Sequence, residues 1–244
     1  MVDGDTPTSN APVDIVAQNF NTSSYWFLIV TVIFFIARII SIPDAILEQT
    51  SGTDPGFNSF ADKVISIIYI FIVIMVMVYF NTGVIKDKCG PDANSSYLVF
   101  LTTFFPWISI FGMLYTFLLV MPSWKSPFSN TFGYIVTIYF MNGKSELLKL
   151  ISASTNNEAL AIVIKDNASN IINDYGPENI GKLKLLWKKV SAFKKYENSD
   201  AQTYNKLAKL IIIKDYIAEF VWYILTGVLV INMTTNFILE QNCV

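Results

Sequence analysis

Residues 97–141 read YLVFLTTFFPWISIFGMLYTFLLVM, then PSWKSPFSNT, then FGYIVTIYFM. The first part, Tyr97–Met121, is a 25-residue apolar run. At 1.5 Å per residue it is long enough to cross a hydrocarbon core of ~30 Å. The last part, Phe132–Met141, has ten residues and reaches only about half that distance. The stretch Pro122–Tyr134 holds two prolines, one glycine, one lysine and four aromatics. It is too polar for a span and too aromatic for an ordinary loop. Reading Phe132–Met141 as an interfacial or re-entrant segment, or a helix packed on other protein, and not as a crossing, decides the fold. Within Tyr97–Met121, Pro106 predicts a kink near Thr102 and Thr103, because its ring removes a hydrogen bond one turn back.

Outward from this stretch, three more runs match a span in length. They are Tyr25–Ile42, ended by Pro43 and opened by the aromatic anchors Tyr25 and Trp26, Val64–Phe80, extendable to Ile85, and Tyr216–Leu239. The expected fold is all-α: a polytopic membrane protein with four transmembrane helices and a helical, Lys-rich region between spans three and four. The parts are an acidic polar tail (1–24), a three-span unit (25–121), the aromatic and proline junction (122–143), a basic helical extramembrane region (144–215), the fourth span (216–239) and a short stub (240–244). The tail has little to bury and is expected to be mobile.

Composition supports this reading. Of 244 residues, 53% are hydrophobic, the mean hydropathy is +0.46, and the apolar residues fall in blocks. The net charge of −2 hides a segregation: residues 142–215 hold 12 Lys against 8 acids. There is no histidine, which removes the commonest general base and metal ligand. No signal peptide is visible, so the first span is expected to direct insertion.

Four spans put both termini on one side of the membrane. The opposite side then holds 14 Lys against two and is expected to be cytoplasmic. Cys89 and Cys243 fall together on the Lys-poor side, either as a disulfide or as two free thiols. Arg38 and Glu219, the two clear intramembrane charges, lie near the Lys-rich surface. They either pair or snorkel separately. If they pair, reversing both charges should restore what either reversal alone removes.

Tyr175-Gly176-Pro177 predicts a break, with helices expected at Ser145–Ile151 and Glu158–Lys165 before it. After it, Gly181–Tyr196 is basic and amphipathic, with Trp187 and Phe193 on its apolar face. That face either packs on neighbouring helices or lies on an anionic membrane surface.

An enzyme is not expected, because the spans hold one Glu, one Arg and no Asp or His. No cofactor, metal, nucleic acid or small-molecule substrate is implied. Thr131-Phe-Gly-Tyr134 matches three of five letters of a potassium-channel filter, but Ile135 stands where the second glycine is needed. A transporter would show repeats, broken helices or central charges, and only Pro106 qualifies. The expected function is a structural membrane protein that anchors a lipid bilayer to a protein scaffold. The alternative is a small channel or transporter subunit. Trp124, Pro127, Phe128, Asn130 and Tyr134 are the candidate partner or membrane-interface residues, with fixed turns at Ser126-Pro127 and Ser129-Asn130.

Several spans followed by Trp124-Lys-Ser-Pro-Phe-Ser-Asn-Thr-Phe-Gly-Tyr134 resemble the multi-span membrane minor capsid proteins of large icosahedral double-stranded DNA viruses, the phycodnavirus, iridovirus and asfarvirus group. The resemblance covers about 15 residues and the general layout. It implies a virion component in an internal membrane, without a catalytic site, held by other capsid proteins.

Overall fold

The computed structural model describes residues 11–42, 60–90, 96–146, 162, 166–191 and 200–240. Among these, 94% are helical and none lies in a strand. The elements are α1 (Ala11–Ile40), α2 (Phe60–Cys89), α3 (residues 96–120), α4 (residues 122–140), α5 (Ala168–Asn173), α6 (Ile180–Ser191) and α7 (Asp200–Glu240). Four stretches are long and apolar enough to cross a membrane: Thr22–Ile40, Lys63–Cys89, Tyr97–Val120 and Tyr204–Glu240. The chain is therefore all-α, with four helices of transmembrane character among the described residues.

Several boundaries differ from the sequence reading. Helix α1 begins at Ala11, so the second half of the expected tail is helical. Pro12 sits in its first turn, where its missing N–H has no partner to lose. Helix α2 runs on to Cys89 and stops at Gly90, whose φ of 94° suits the left-handed cap. Helix α3 is α-helical to Pro106, π-helical over Trp107–Phe111 and α-helical again from Gly112. The irregularity thus lies after the proline, not at Thr102 and Thr103. Helix α7 begins at Asp200, not at Tyr216, and its 41 residues extend about 60 Å, twice a hydrocarbon core. The expected helices at Ser145–Ile151 and Glu158–Lys165 lie largely outside the described residues, as do loop residues 43–59 and the end of the stub.

The chain divides into two packed units. One takes α1 up to Ile33, α2 from Ile67, α3 up to Tyr115 and α7 from Tyr223. Its centre is aromatic: Phe27, Tyr69, Trp107, Phe111 and Tyr223 are all buried, and Tyr69 stacks on Tyr223 at 5.8 Å. The ring of Phe27 occupies the space that a Cβ on Gly227 would need. Several buried polar groups are matched: Thr31 and Tyr69 share a 2.8 Å hydrogen bond, and Asn81 Nδ2 donates to Thr103 Oγ1 at 2.8 Å, whereas Ser24 Oγ and Trp107 Nε1 are buried without a partner. Away from the core the helices expose Ile33, Phe71, Met75, Met113 and Leu229, as expected of surfaces solvated by lipid tails.

The second unit takes the remaining parts of these helices together with α4, α5 and α6. Its centre is α7 from Leu207 to Ala218, which is buried nearly all round. A helix in that position must be apolar on every face, and Leu207-Ala-Lys-Leu-Ile-Ile-Ile213 nearly is. Helix α4 presents Lys125, Ser129, Gly133 and Thr137, every fourth residue, as its buried face. A plain α-helix at 3.6 residues per turn would drift off a four-residue repeat. Helix α4 is π-helical over Ser129–Gly133 and Val136–Phe140, and the wider i→i+5 turns keep the four residues in line. Small side chains on this face allow close approach: a Cβ on Gly133 would fall 2.3 Å from the backbone oxygen of Lys214.

The junction is therefore a helix, not a run of fixed turns. Pro122 and Pro127 each stand in the first two positions of a helical piece, where proline is tolerated. The helix ends at Phe140, and two residues on Asn142 takes a φ of 54°, a conformation asparagine accepts. The filter-like letters Thr131–Tyr134 lie inside it, so their carbonyls belong to a helix and not to a pore. Gly133→Ala should lower thermal stability in detergent by about 1–3 kcal/mol, because the neighbour is backbone and cannot move aside. Gly112→Ala, with nothing within 4 Å of its Cβ, should be neutral or stabilising by up to about 1 kcal/mol.

Candidate functional site

Asp215 and Glu219 stand four residues apart on α7 and so share one face. Lys125 of α4 and Arg38 of α1 meet them there. The Lys125 ammonium donates to the Asp215 carboxylate and lies 3.3 Å from Glu219 Oε1. Arg38 Nη1 donates to Glu219 Oε2. All four side chains are 13% exposed or less. The guanidinium carbon of Arg38 also lies 3.9 Å from the centroid of the Tyr216 ring, with the rings of Phe34 and Phe35 at 5.4 and 5.5 Å. This is the setting that suits a weakly hydrated, planar cation. Two cations face two anions, so the cluster is formally neutral.

Burial works against the charge on Lys125, but the carboxylates of Glu219 and Asp215 outweigh it, and the pKa is raised above that of an ordinary lysine. Lys125 is accordingly charged throughout the physiological range. The neighbouring Lys214 turns to another side of α7. It donates to the Ile172 carbonyl at 2.8 Å and to Asn130 Oδ1 at 3.5 Å.

An aromatic clamp flanks the cluster. Trp124 stacks on Phe117 at 5.2 Å and on Trp222 at 6.2 Å, and Phe128 meets the Trp222 ring edge-on at 5.0 Å. Trp222 Nε1 donates to the Trp124 carbonyl at 3.0 Å. The clamp and the ion pairs hold the same two elements, α4 and α7.

The sequence-derived candidates divide as follows. Arg38 and Glu219 are brought together, and neither snorkels. Trp124 and Phe128 belong to the clamp, Trp124 remaining 45% exposed. Pro127 is exposed. Asn130 is exposed and accepts from Lys214. Tyr134 shares a 2.6 Å hydrogen bond with Ser169 of α5. Trp187 lies in α6, its side chain outside the described residues; Phe193 lies outside them altogether. Cys89 is disulfide-bonded, and Cys243, the chain's other cysteine, lies outside the described residues. Lys125 and Asp215 were missed. Their signals were a lone lysine inside an aromatic stretch, the small-residue repeat Ser129, Gly133, Thr137 after it, and an acid four residues before Glu219.

No family model, curated protein or solved structure matches the chain. Among the described residues, no group of three or more Cys, Asp or Glu is placed to hold a metal ion. The carboxylates of Asp215 and Glu219 are occupied by cations of the same chain, so what this arrangement does is hold helices together.

The third member changes the charge-reversal expectation. Glu219→Arg would place a guanidinium beside Lys125, so reversing both Arg38 and Glu219 should not restore stability. A neutral cycle is the better measure. Lys125→Met leaves Asp215 buried without its cation and should cost about 3–5 kcal/mol of unfolding free energy in detergent. Adding Asp215→Asn should recover part of that loss, giving a coupling of about 1–3 kcal/mol between the two positions.

Proposed function

We propose that this chain is a structural membrane protein that ties a lipid bilayer to a protein scaffold. The finer reading, which rests on the Trp124–Tyr134 resemblance, is a minor capsid protein that links a virion's internal membrane to its shell. The observation that carries the coarser reading is the closed charge cluster. Channels and transporters keep ionisable groups within their spans facing a pathway or a substrate. Here Arg38, Lys125, Asp215 and Glu219 bind one another, and their burial stiffens a surface instead of serving a cargo. The opposite face of α4 exposes Phe132, Ile135, Tyr139 and Phe140. Aromatic groups on a rigid helix at a membrane boundary suit contact with lipid headgroups and with a neighbouring protein.

The test combines particles and bilayers. Purified assemblies from the source of the chain should contain it at a fixed ratio to the shell or scaffold proteins. Reconstituted alone in planar bilayers, it should add no conductance over a protein-free control. Steady unitary currents, with no recovery in particles, would overturn the proposal. Trp124, Phe128 and Tyr134 have internal partners, so the surface itself is better tested at Phe132, Tyr139 and Phe140. Replacing these three with Ala should reduce recovery in assemblies several-fold while leaving membrane insertion unchanged.

A further inference from the structure

Helices α2 and α7 run in the same direction. Tyr69 of α2 stacks on Tyr223 of α7. Fifteen residues further along each helix, Val84 and Ile238 share one buried cluster with Ile85 and Val99. The two helices thus keep register over about 22 Å, and their C-terminal ends emerge together. Helix α3 runs the other way: Val99, near its start, joins the same cluster, and Phe111 meets Tyr69.

Two helix C-termini side by side bring together two negative dipole ends and two sets of carbonyls without helical partners. The last turn of α2 carries Lys86 and Lys88, and Lys88 Nζ donates to the Leu239 carbonyl of α7. Cys89 and Leu239 both pack against the buried cluster. Cys89 is disulfide-bonded. The chain has one other cysteine, Cys243, four residues beyond Leu239. Four residues of extended chain reach about 13 Å, ample for the ~6 Å between the Cα atoms of a disulfide.

We infer that Cys89 is joined to Cys243 by a disulfide oxidant, and that this end of the bundle faces the oxidising compartment that holds the oxidant. The step is thiol–disulfide exchange. One cysteine thiolate attacks a sulfur of the oxidant's disulfide and forms a mixed disulfide. The second thiolate then attacks the chain's sulfur in that bond and displaces the oxidant. The two cysteines of the chain are oxidised, and the oxidant leaves as a dithiol that carries their two protons. A reducing cytosol would keep both thiols free, so the bond marks the side. The lysine count, 14 against two, puts the opposite side in the cytosol. Redox state and charge are independent signals, and they give one orientation. The clasp also holds the end of α7 beside α2, where the two dipole ends would otherwise repel. None of this rests on the anchoring role.

Membranes holding the full chain are quenched with N-ethylmaleimide, denatured, and labelled with a maleimide-polyethylene glycol before and after reduction. The unaltered chain should take no label before reduction and two labels after it, and should migrate as a monomer on a non-reducing gel. Cys89→Ser should take none even after reduction, because its remaining thiol is already blocked. Sidedness is read in sealed vesicles, cytosolic face outward, with a membrane-impermeant maleimide. Cys89 in the Cys243→Ser chain should be labelled only after detergent opens the vesicles. Lys182→Cys, placed at an exposed position of α6 in the Cys89→Ser/Cys243→Ser chain, should be labelled without detergent. Absence of label after reduction of the unaltered chain would show two free thiols and overturn the pairing, as would a disulfide-linked dimer. Labelling of Cys89 in unopened vesicles would overturn the orientation.

Discussion

Two cations and two carboxylates withdrawn from water together govern how α4 is seated on α7. Each ion alone would carry a desolvation cost of several kcal/mol, and only mutual contact offsets it. Such a cluster adds little net stability compared with a well-packed apolar one. What it fixes is register. A one-turn slip of α4 would leave Asp215 and Lys125 buried and unpaired, and would bring a larger side chain to the place where Gly133 meets the Lys214 backbone. Charge pairing and steric fit therefore specify the same alignment, the kind of agreement between levels that gives one structure a clear advantage over its rivals.

The π turns of α4 follow from that alignment. Lys125 and Gly133 contact α7, Ser129 and Thr137 are buried on the same stripe, and a four-residue repeat keeps the four in line only if some turns are wider than α-helical. The same rotation turns Phe132, Ile135, Tyr139 and Phe140 outward. A buried polar seam thus determines which aromatic groups the protein presents at its surface. The clamp of Trp124, Phe128 and Trp222 closes one end of the seam.

The four apolar helices were legible in the sequence because a bilayer demands length and composition, and both can be counted. Pairing of Arg38 with Glu219 was legible as one of two outcomes, since isolated charges at that depth are costly. The helical character of 122–140 was not. Two prolines and six polar residues from Pro122 to Thr131 read as turns, yet each proline falls at the start of a helical piece, where its missing N–H costs nothing. Nor was the start of α7 legible. Lys206, Lys209, Lys214 and Asp215 read as soluble helix, whereas Lys214 and Asp215 are buried, with hydrogen-bond partners on α4, Asn130 and Lys125 respectively. Composition cannot distinguish a solvated charge from a buried one whose partner lies 90 residues away in sequence.

The seating of α4 on α7 depends on the ion cluster. Amide hydrogen exchange in detergent micelles, compared between the unaltered chain and Lys125→Met, reads this directly. Loss of the cation should accelerate exchange across residues 123–140, while α2 and the part of α7 beyond Tyr223 keep their protection. Unchanged protection of residues 123–140 would mean that the aromatic clamp and the glycine contact seat the helix without the charges, contradicting the central role given to the cluster.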